Sequence, residues 1–280
     1  NIITKDPINN SFQVSSTMSN MNSKSWEQYV GANASLVSSD NSYGIALYQS
    51  YRNRNPYDAD GDGFSELGKL NMNTFGLRAY RPTQFSRISL EYHTTNEFRR
   101  GGNKFDLQPH ETDITEQTKH IINSGGLTYD VFFREYKHKL SIYGSAQHTD
   151  RNSYYGAGMD PNAYGRTKDL TVVGGAMYVG NMDNCFFSPA TFTGGIEYQY
   201  NSLHDVMTGY KRDLKQDVKI ACGFAQNEWK MEYFTLLAGF RLDKHNLVDN
   251  VIFSPRVNAL WKPSDRLQGR LTWSTGFPAP

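Results

Sequence analysis

Long hydrophobic runs are missing from this 280-residue chain. No stretch approaches the ~20 consecutive apolar residues of a membrane-crossing helix, which excludes a helical membrane protein. Cysteine is scarce. Cys185 and Cys222 are the only two, without C-x-x-C metal spacing and too few for a disulfide framework. Charge of one sign is lacking too: 29 Lys+Arg oppose 28 Asp+Glu, a formal net charge of +1. Such a chain has no overall field to draw phosphates, so nucleic acid is not an expected partner. Also absent are an initiating Met, a basic n-region and an apolar h-region. The expectation is a removed signal peptide or a start inside a longer parent. Aromatics, in contrast, are plentiful: 18 Tyr, 16 Phe and 4 Trp make up 14% of the chain. That content rules out bulk disorder, although mean hydropathy is −0.63.

Helical periodicity is nearly absent, and period-two alternation recurs throughout. Ile88, Leu90 and Tyr92 fall on one face, and Arg87, Ser89, Glu91 and His93 on the other. Similar series are Val30/Ala32/Ala34/Leu36, Leu140/Ile142/Gly144/Ala146, Phe192/Gly194/Ile196/Tyr198 and Leu267/Gly269/Leu271/Trp273. Each strand needs one apolar and one polar environment. About thirteen strands are expected from Phe12 to Phe277. Turn-like links at Asp40–Ser42, Arg81–Gln84, Tyr136–Lys139 and Lys262–Asp265 alternate with long polar segments near 55–70, 99–118, 154–169 and 203–217. Tight turns at one end of a meander and long loops at the other fit an outer-membrane barrel. Aromatics near strand ends (Tyr29, Tyr43, Tyr80, Phe132, Phe133, Phe186, Phe187, Tyr233, Phe234, Trp261) suit a headgroup girdle, against plain β-propensity as the other explanation. The expected fold class is all-β: an antiparallel up-and-down transmembrane β-barrel.

Three stretches carry a family resemblance. Asn1-Ile2-Ile3-Thr4-Lys5-Asp6-Pro7 resembles the segment that closes the plug domain of TonB-dependent outer-membrane receptors. Phe253-Ser254-Pro255-Arg256, Trp261-Lys262-Pro263 and Ser274–Pro280 resemble that family's mid-barrel run, which ends in a "G-F-R-A-P" box; Pro278 stands where the box has Arg. The stretch from Asn96 to Gln117 is similar to a long loop in receptors of the Bacteroidetes type. The resemblance implies a fragment of a plugged barrel of about 22 strands. Residues 1–10 would end the plug segment and linker, and residues 11–280 would form the N-terminal portion of the barrel. It further implies a TonB-ExbB-ExbD energising complex, outer-membrane lipid and a small nutrient complex as partners, with a surface lipoprotein as an additional one. The cargo would be a scarce, bulky nutrient of the cobalamin, siderophore-iron or haem class.

The sharpest local motif is Asp58-Ala59-Asp60-Gly61-Asp62-Gly63-Phe64-Ser65-Glu66. Carboxylates at loop positions 1, 3 and 5, then Gly at 6, match the first half of a calcium loop. Calcium takes six to eight hard oxygens. Asp58, Asp60, Asp62, the Phe64 carbonyl and Glu66 are the expected ligands of Ca²⁺, against the alternative of a solvated acidic turn. Lys69 occupies position 12, where an EF-hand has Glu. By analogy with calcium-assisted cobalamin receptors, this loop tilts the cargo toward a corrinoid. Arg99, Arg100, His110, Glu111, Asp113, His204 and Asp205 are candidate ligand-binding residues on long loops, beside Lys211 and Arg212. Arg87, Glu91, Arg256 and Arg270 are expected to face the lumen and its plug. No H-E-x-x-H, G-x-S-x-G or phosphate-loop motif is present, so no enzyme is expected. Two other readings remain: a secreted or surface-exposed soluble β-protein that binds glycan, and a carbohydrate-active enzyme.

Overall fold

The structure, a computed structural model, describes residues 6–276. Most of the opening plug-like motif and the closing Phe277–Pro280 lie outside the described residues. Thirteen strands form one sheet in chain order, each antiparallel to the next. They are β1 (Ser11–Met21), β2 (Ser25–Val37), β3 (Gly44–Arg54), β4 (Lys69–Pro82), β5 (Ser86–Gly102), β6 (Ile114–Phe133) and β7 (His138–Ala157). The series continues with β8 (Tyr164–Cys185), β9 (Ser188–Met207), β10 (Arg212–Lys230), β11 (Phe234–His245), β12 (Ile252–Ser264) and β13 (Leu267–Ser274). Among the described residues β1 and β13 are the two edges of the sheet.

Register separates the faces. From β5 to β12 one row of Cα partners reads Ile88, Tyr129, Ile142, Ala176, Ile196, Gly223, Leu242, Phe253. A row on the opposite face, from Tyr80 on β4 to Asp243 on β11, passes through Ser89, Thr128, Tyr143, Gly175, Glu197 and Cys222. The alternating series read from the sequence therefore share one apolar face. Its side chains are not packed away: Ile196 is 67% exposed and Trp273 57%. So extensive an uncovered apolar surface requires a non-aqueous neighbour.

Connections sort by end. Short ones span 38–43, 83–85, 134–137, 186–187, 231–233 and 265–266; at the other end lie 22–24, 55–68, 103–113, 158–163, 208–211 and 246–251. Only 55–68 and 103–113 are extended loops. The polar segments expected near 154–169 and 203–217 are mostly strand, because β7 to β10 continue well past the apolar band. At the short-turn end, Phe133, His138, Tyr178 and Phe192 form linked ring contacts on the apolar face, and Phe187 stacks on Trp229 at 5.6 Å. Tyr43, Tyr233 and Trp261 are exposed there as well. Tyr29, Tyr80 and Phe132 depart from the girdle expectation, since their parity points them to the polar face.

Two features knit the polar face. Tyr48 lies over its Cα partner Gly76, and Tyr80 over Gly44; a Cβ at Gly76 would fall 2.1 Å from the Tyr48 ring. The segment ahead of β1 is strapped across the sheet. The Asp6 carboxylate bridges Arg78 (3.2 Å) and Arg87 (2.5 Å), and the Tyr80 hydroxyl donates to the Pro7 carbonyl at 2.5 Å.

Candidate functional site: the loop-end mouth and its aspartate loop

The β3–β4 loop is built around its carboxylates. Asp58 accepts from the Gly61 amide through Oδ1 (2.6 Å) and from the Gly63 amide through Oδ2 (2.9 Å). Asp62 accepts from Phe64 N–H (2.8 Å), and Glu66 from Ala59 N–H (2.6 Å). Gly61 and Gly63 have φ of 85° and 90°, a region open to glycine at little cost. One ligand oxygen from each of Asp58, Asp60, Asp62 and Glu66 can be chosen so that all lie within 4.8 Å of one another. The Gly61 amide, aided by Gly63 and by the nearby Lys24 ammonium, holds the Asp58 carboxyl below the usual range. The loop is moored on both sides. Asn22 Nδ2 donates to the Tyr57 hydroxyl (2.6 Å), and the Ser65 amide donates to the Gly102 carbonyl (3.0 Å).

The neighbouring connections form a continuous rim. In 103–113, Asp113 accepts from Asn103 (2.6 Å) and pairs with Lys104 (3.0 Å), which pulls its carboxyl down. Glu111 caps a short 3-10 turn by accepting from Gln108 N–H (2.8 Å), and His110 Nδ1 meets the Tyr164 hydroxyl at 2.9 Å. Fully buried Tyr154 packs edge-on against Tyr164 beneath this rim. The Gly209 amide then joins 208–211 to the Asn162 carbonyl at 2.7 Å.

On the polar face just inside the rim lies an arginine belt. Glu27 sits between Arg52 (2.5 Å) and Arg54 (3.6 Å), and Glu97 pairs with Arg99 (2.8 Å). The Thr167 hydroxyl receives Arg151 (2.9 Å) and donates to buried Asp205 (2.6 Å), which also holds Arg212 (2.7 Å). Register sets Glu97, His120, Arg151, Thr167 and Asp205 in one row. Each guanidinium carries five donors, more than these pairings consume, so donors remain for an anion.

The sequence candidates divide by strand parity. Arg99 and Asp205 are on the polar face of β5 and β9, within the belt. Arg100, one residue on, is buried on the other face, donating to the Lys104 carbonyl (3.2 Å) and lying over the Phe105 ring. His204 is also on the outer side, paired with Asp213 (3.0 Å). His110, Glu111 and Asp113 are in the rim. The structure thus places Arg99, Arg100, His204 and Asp205 on strands rather than on loops. Sequence reasoning missed Glu27, Arg52, Arg54, Glu97 and Arg151; the signal was charge at polar-parity positions close to a loop.

Residues 9–280 match the family described as TonB dependent receptor-like, β-barrel. The chain belongs to that family. No curated protein matches it. Among solved structures it resembles the siderophore receptor PirA of Pseudomonas aeruginosa, at 14% identity and a TM-score of 0.74, over 99% of this chain and 45% of that one. PirA of Acinetobacter baumannii gives 16%, 0.70, 92% and 42%. A mutant of the ferric enterobactin receptor PfeA of P. aeruginosa gives 13%, 0.71, 96% and 44%. Identities this low carry the fold alone, and the chain spans less than half the length of these structures. Family and neighbours are receptors and transporters, not enzymes. As a TonB-dependent receptor barrel, the chain sits in the bacterial outer membrane, apolar face to lipid and polar face to lumen. Arg87, Glu91, Arg256 and Arg270 then all face the lumen by parity.

Proposed function

We propose that this chain is part of the wall of an outer-membrane active transporter that takes up a bulky, anionic nutrient complex, energised through TonB-ExbB-ExbD. One observation supports it above the others: the belt of Arg52, Arg54, Arg99, Arg151 and Arg212 inside the outer mouth. Forked guanidinium donors in a wall that excludes lipid suit delocalised negative charge on a chelate such as a ferric siderophore. The neighbours' printed names, siderophore and ferric enterobactin receptors, agree with that class. The β3–β4 loop adds a Ca²⁺ site of Asp58, Asp60, Asp62, Glu66 and the Phe64 carbonyl, which would stiffen the rim beside the belt. His110, Glu111 and Asp113 complete the rim that a cargo meets first.

Growth of an iron-starved host on defined ferric chelates, with the full-length receptor as sole importer, tests the reading. Arg99→Ala with Arg151→Ala is expected to weaken anionic chelate binding by about tenfold or more while surface expression holds. Equal use of neutral and anionic chelates by both proteins would overturn the anionic class.

A further inference from the structure

Among the described residues three histidines take lumen parity on the strands: His93, His120 and His245. Two of them are committed. His93 Nδ1 meets the Tyr48 hydroxyl, and His245 Nδ1 accepts from the Leu247 amide at 3.0 Å. His120 is half-buried and makes no hydrogen bond among the described residues, yet neither ring nitrogen is sealed from solvent. It is the free one.

Its place is inside the arginine belt. Glu97 on β5 and Arg151 on β7 are its Cα partners, each one strand away at about 5 Å. Arg99, the next lumen-facing residue on β5 toward the loops, pairs with Glu97 at 2.8 Å. Arg151 reaches the other way, to the Thr167 hydroxyl (2.9 Å), from which the chain of contacts runs on to Asp205 and Arg212. On β6 itself Glu116 faces the lumen nearer the loops, and Lys119 points to the outer side. The partner of Lys119 there is Asn152, so the row stands above the lipid band, beside water. Of all these groups only the imidazole changes charge near neutral pH.

Burial holds His120 below its ordinary pKa; Glu97 opposes this, and Arg151 and Arg99 reinforce it. In the empty belt at neutral pH the ring is therefore uncharged. A polyanion resting on Arg99 and Arg151 reverses that balance, because it offsets both guanidiniums and faces the ring itself. We propose that His120 is a cargo-contacting specificity residue, which takes a proton from lumen water as a multiply charged anionic chelate seats and then donates a hydrogen bond to it. This narrows the anionic-cargo reading, on which it rests, to polyanions. A monoanion offsets one guanidinium and leaves the ring neutral, so the additional cationic contact forms only for cargo of higher charge. When the cargo leaves, its field leaves with it and the proton returns to water. The sign follows from linkage: a group whose pKa rises on binding strengthens the complex as pH falls, until the empty site is protonated too.

The full-length receptor in detergent is titrated calorimetrically with two trianionic probes, a bulky ferric tris-catecholate and hexacyanoferrate(III), between about pH 5.5 and 8. The second probe keeps its charge over that range, so its pH dependence reports the protein. Repeating each titration in buffers of different ionisation enthalpy counts the protons taken up. The wild type is expected to bind about tenfold tighter at the acid end, with uptake of up to about one proton per probe. His120→Gln should bind at every pH as the wild type does at the alkaline end, without that uptake. His120→Lys, charged throughout, should keep the tight binding at every pH, which a merely structural histidine would not produce. Heat-modifiable gel mobility like that of the wild type identifies the variants that fold. Trianion binding that Arg99→Ala with Arg151→Ala weakens, but with no proton uptake or with the same pH slope in His120→Gln, would overturn the role of His120 alone. No binding of either trianion at any pH would take the anionic-cargo reading down with it.

Discussion

Asp58 carries more of the β3–β4 loop than any other side chain, since both of its oxygens receive backbone amides. Its carboxyl is held below the ordinary range, chiefly by the Gly61 amide, so the ionised form is favoured in the folded loop. A depressed carboxylate contributes stability that is present above its unfolded pKa and lost as pH falls through the folded one. Calcium requires the same ionised oxygens. Isothermal titration of the full-length receptor should therefore show Ca²⁺ binding at neutral pH that fades once pH drops below the usual carboxylate range. Asp60→Ala and Asp62→Ala should each weaken it by about tenfold or more; variants indistinguishable from wild type would remove the metal site. The acidic spacing made this loop legible in the sequence. Arg99 and Arg100 were not separable in that way, because adjacent residues on a strand point to opposite sides. His204 and Asp205 part company for the same reason, one toward Asp213 outside and the other toward Thr167 inside.

For the strands, the apolar series were readable because lipid demands an uninterrupted apolar row on one side. Strand length was not. Above the membrane band β6 to β10 continue in water on both faces, as at His148-Thr149-Asp150-Arg151-Asn152, where polarity has the signature of a loop. What keeps such segments paired is backbone hydrogen bonding and cross-strand side-chain contact, neither of which leaves a hydrophobic period. The Tyr-over-Gly pairs are one such contact. Gly76→Val should drive a branched side chain into the Tyr48 ring and cost about 1–3 kcal/mol. Adding Tyr48→Ala should recover part of that loss, read as the temperature at which heat-modified mobility appears. Additive effects of the two changes would show that the pair does not interact.

For the whole molecule, the two extended loops, 55–68 and 103–113, share one end of the sheet, and that end is expected to lie outside the cell. An epitope inserted between Gly61 and Gly63 should be labelled on intact cells, whereas one in turn 134–137 should be labelled only after the outer membrane is permeabilised. The opposite pattern would invert the barrel. Disjoint side chains such as Glu27, Arg151 and Arg212 assemble into one mouth only because the meander stacks strands in register. That is why the belt was invisible along the chain and obvious across it.

The Asp6 strap has a mechanical meaning. Asp6 and Pro7 are fastened to β4 and β5, while Asn9 and Asn10 hydrogen-bond to β2 through the Ser35 hydroxyl and the Val37 amide. A pull on the chain ahead of Asp6 would load two guanidiniums in the interior of the sheet before any tension reached β1. The carboxylate acts as a strain relief, set upstream of the first strand.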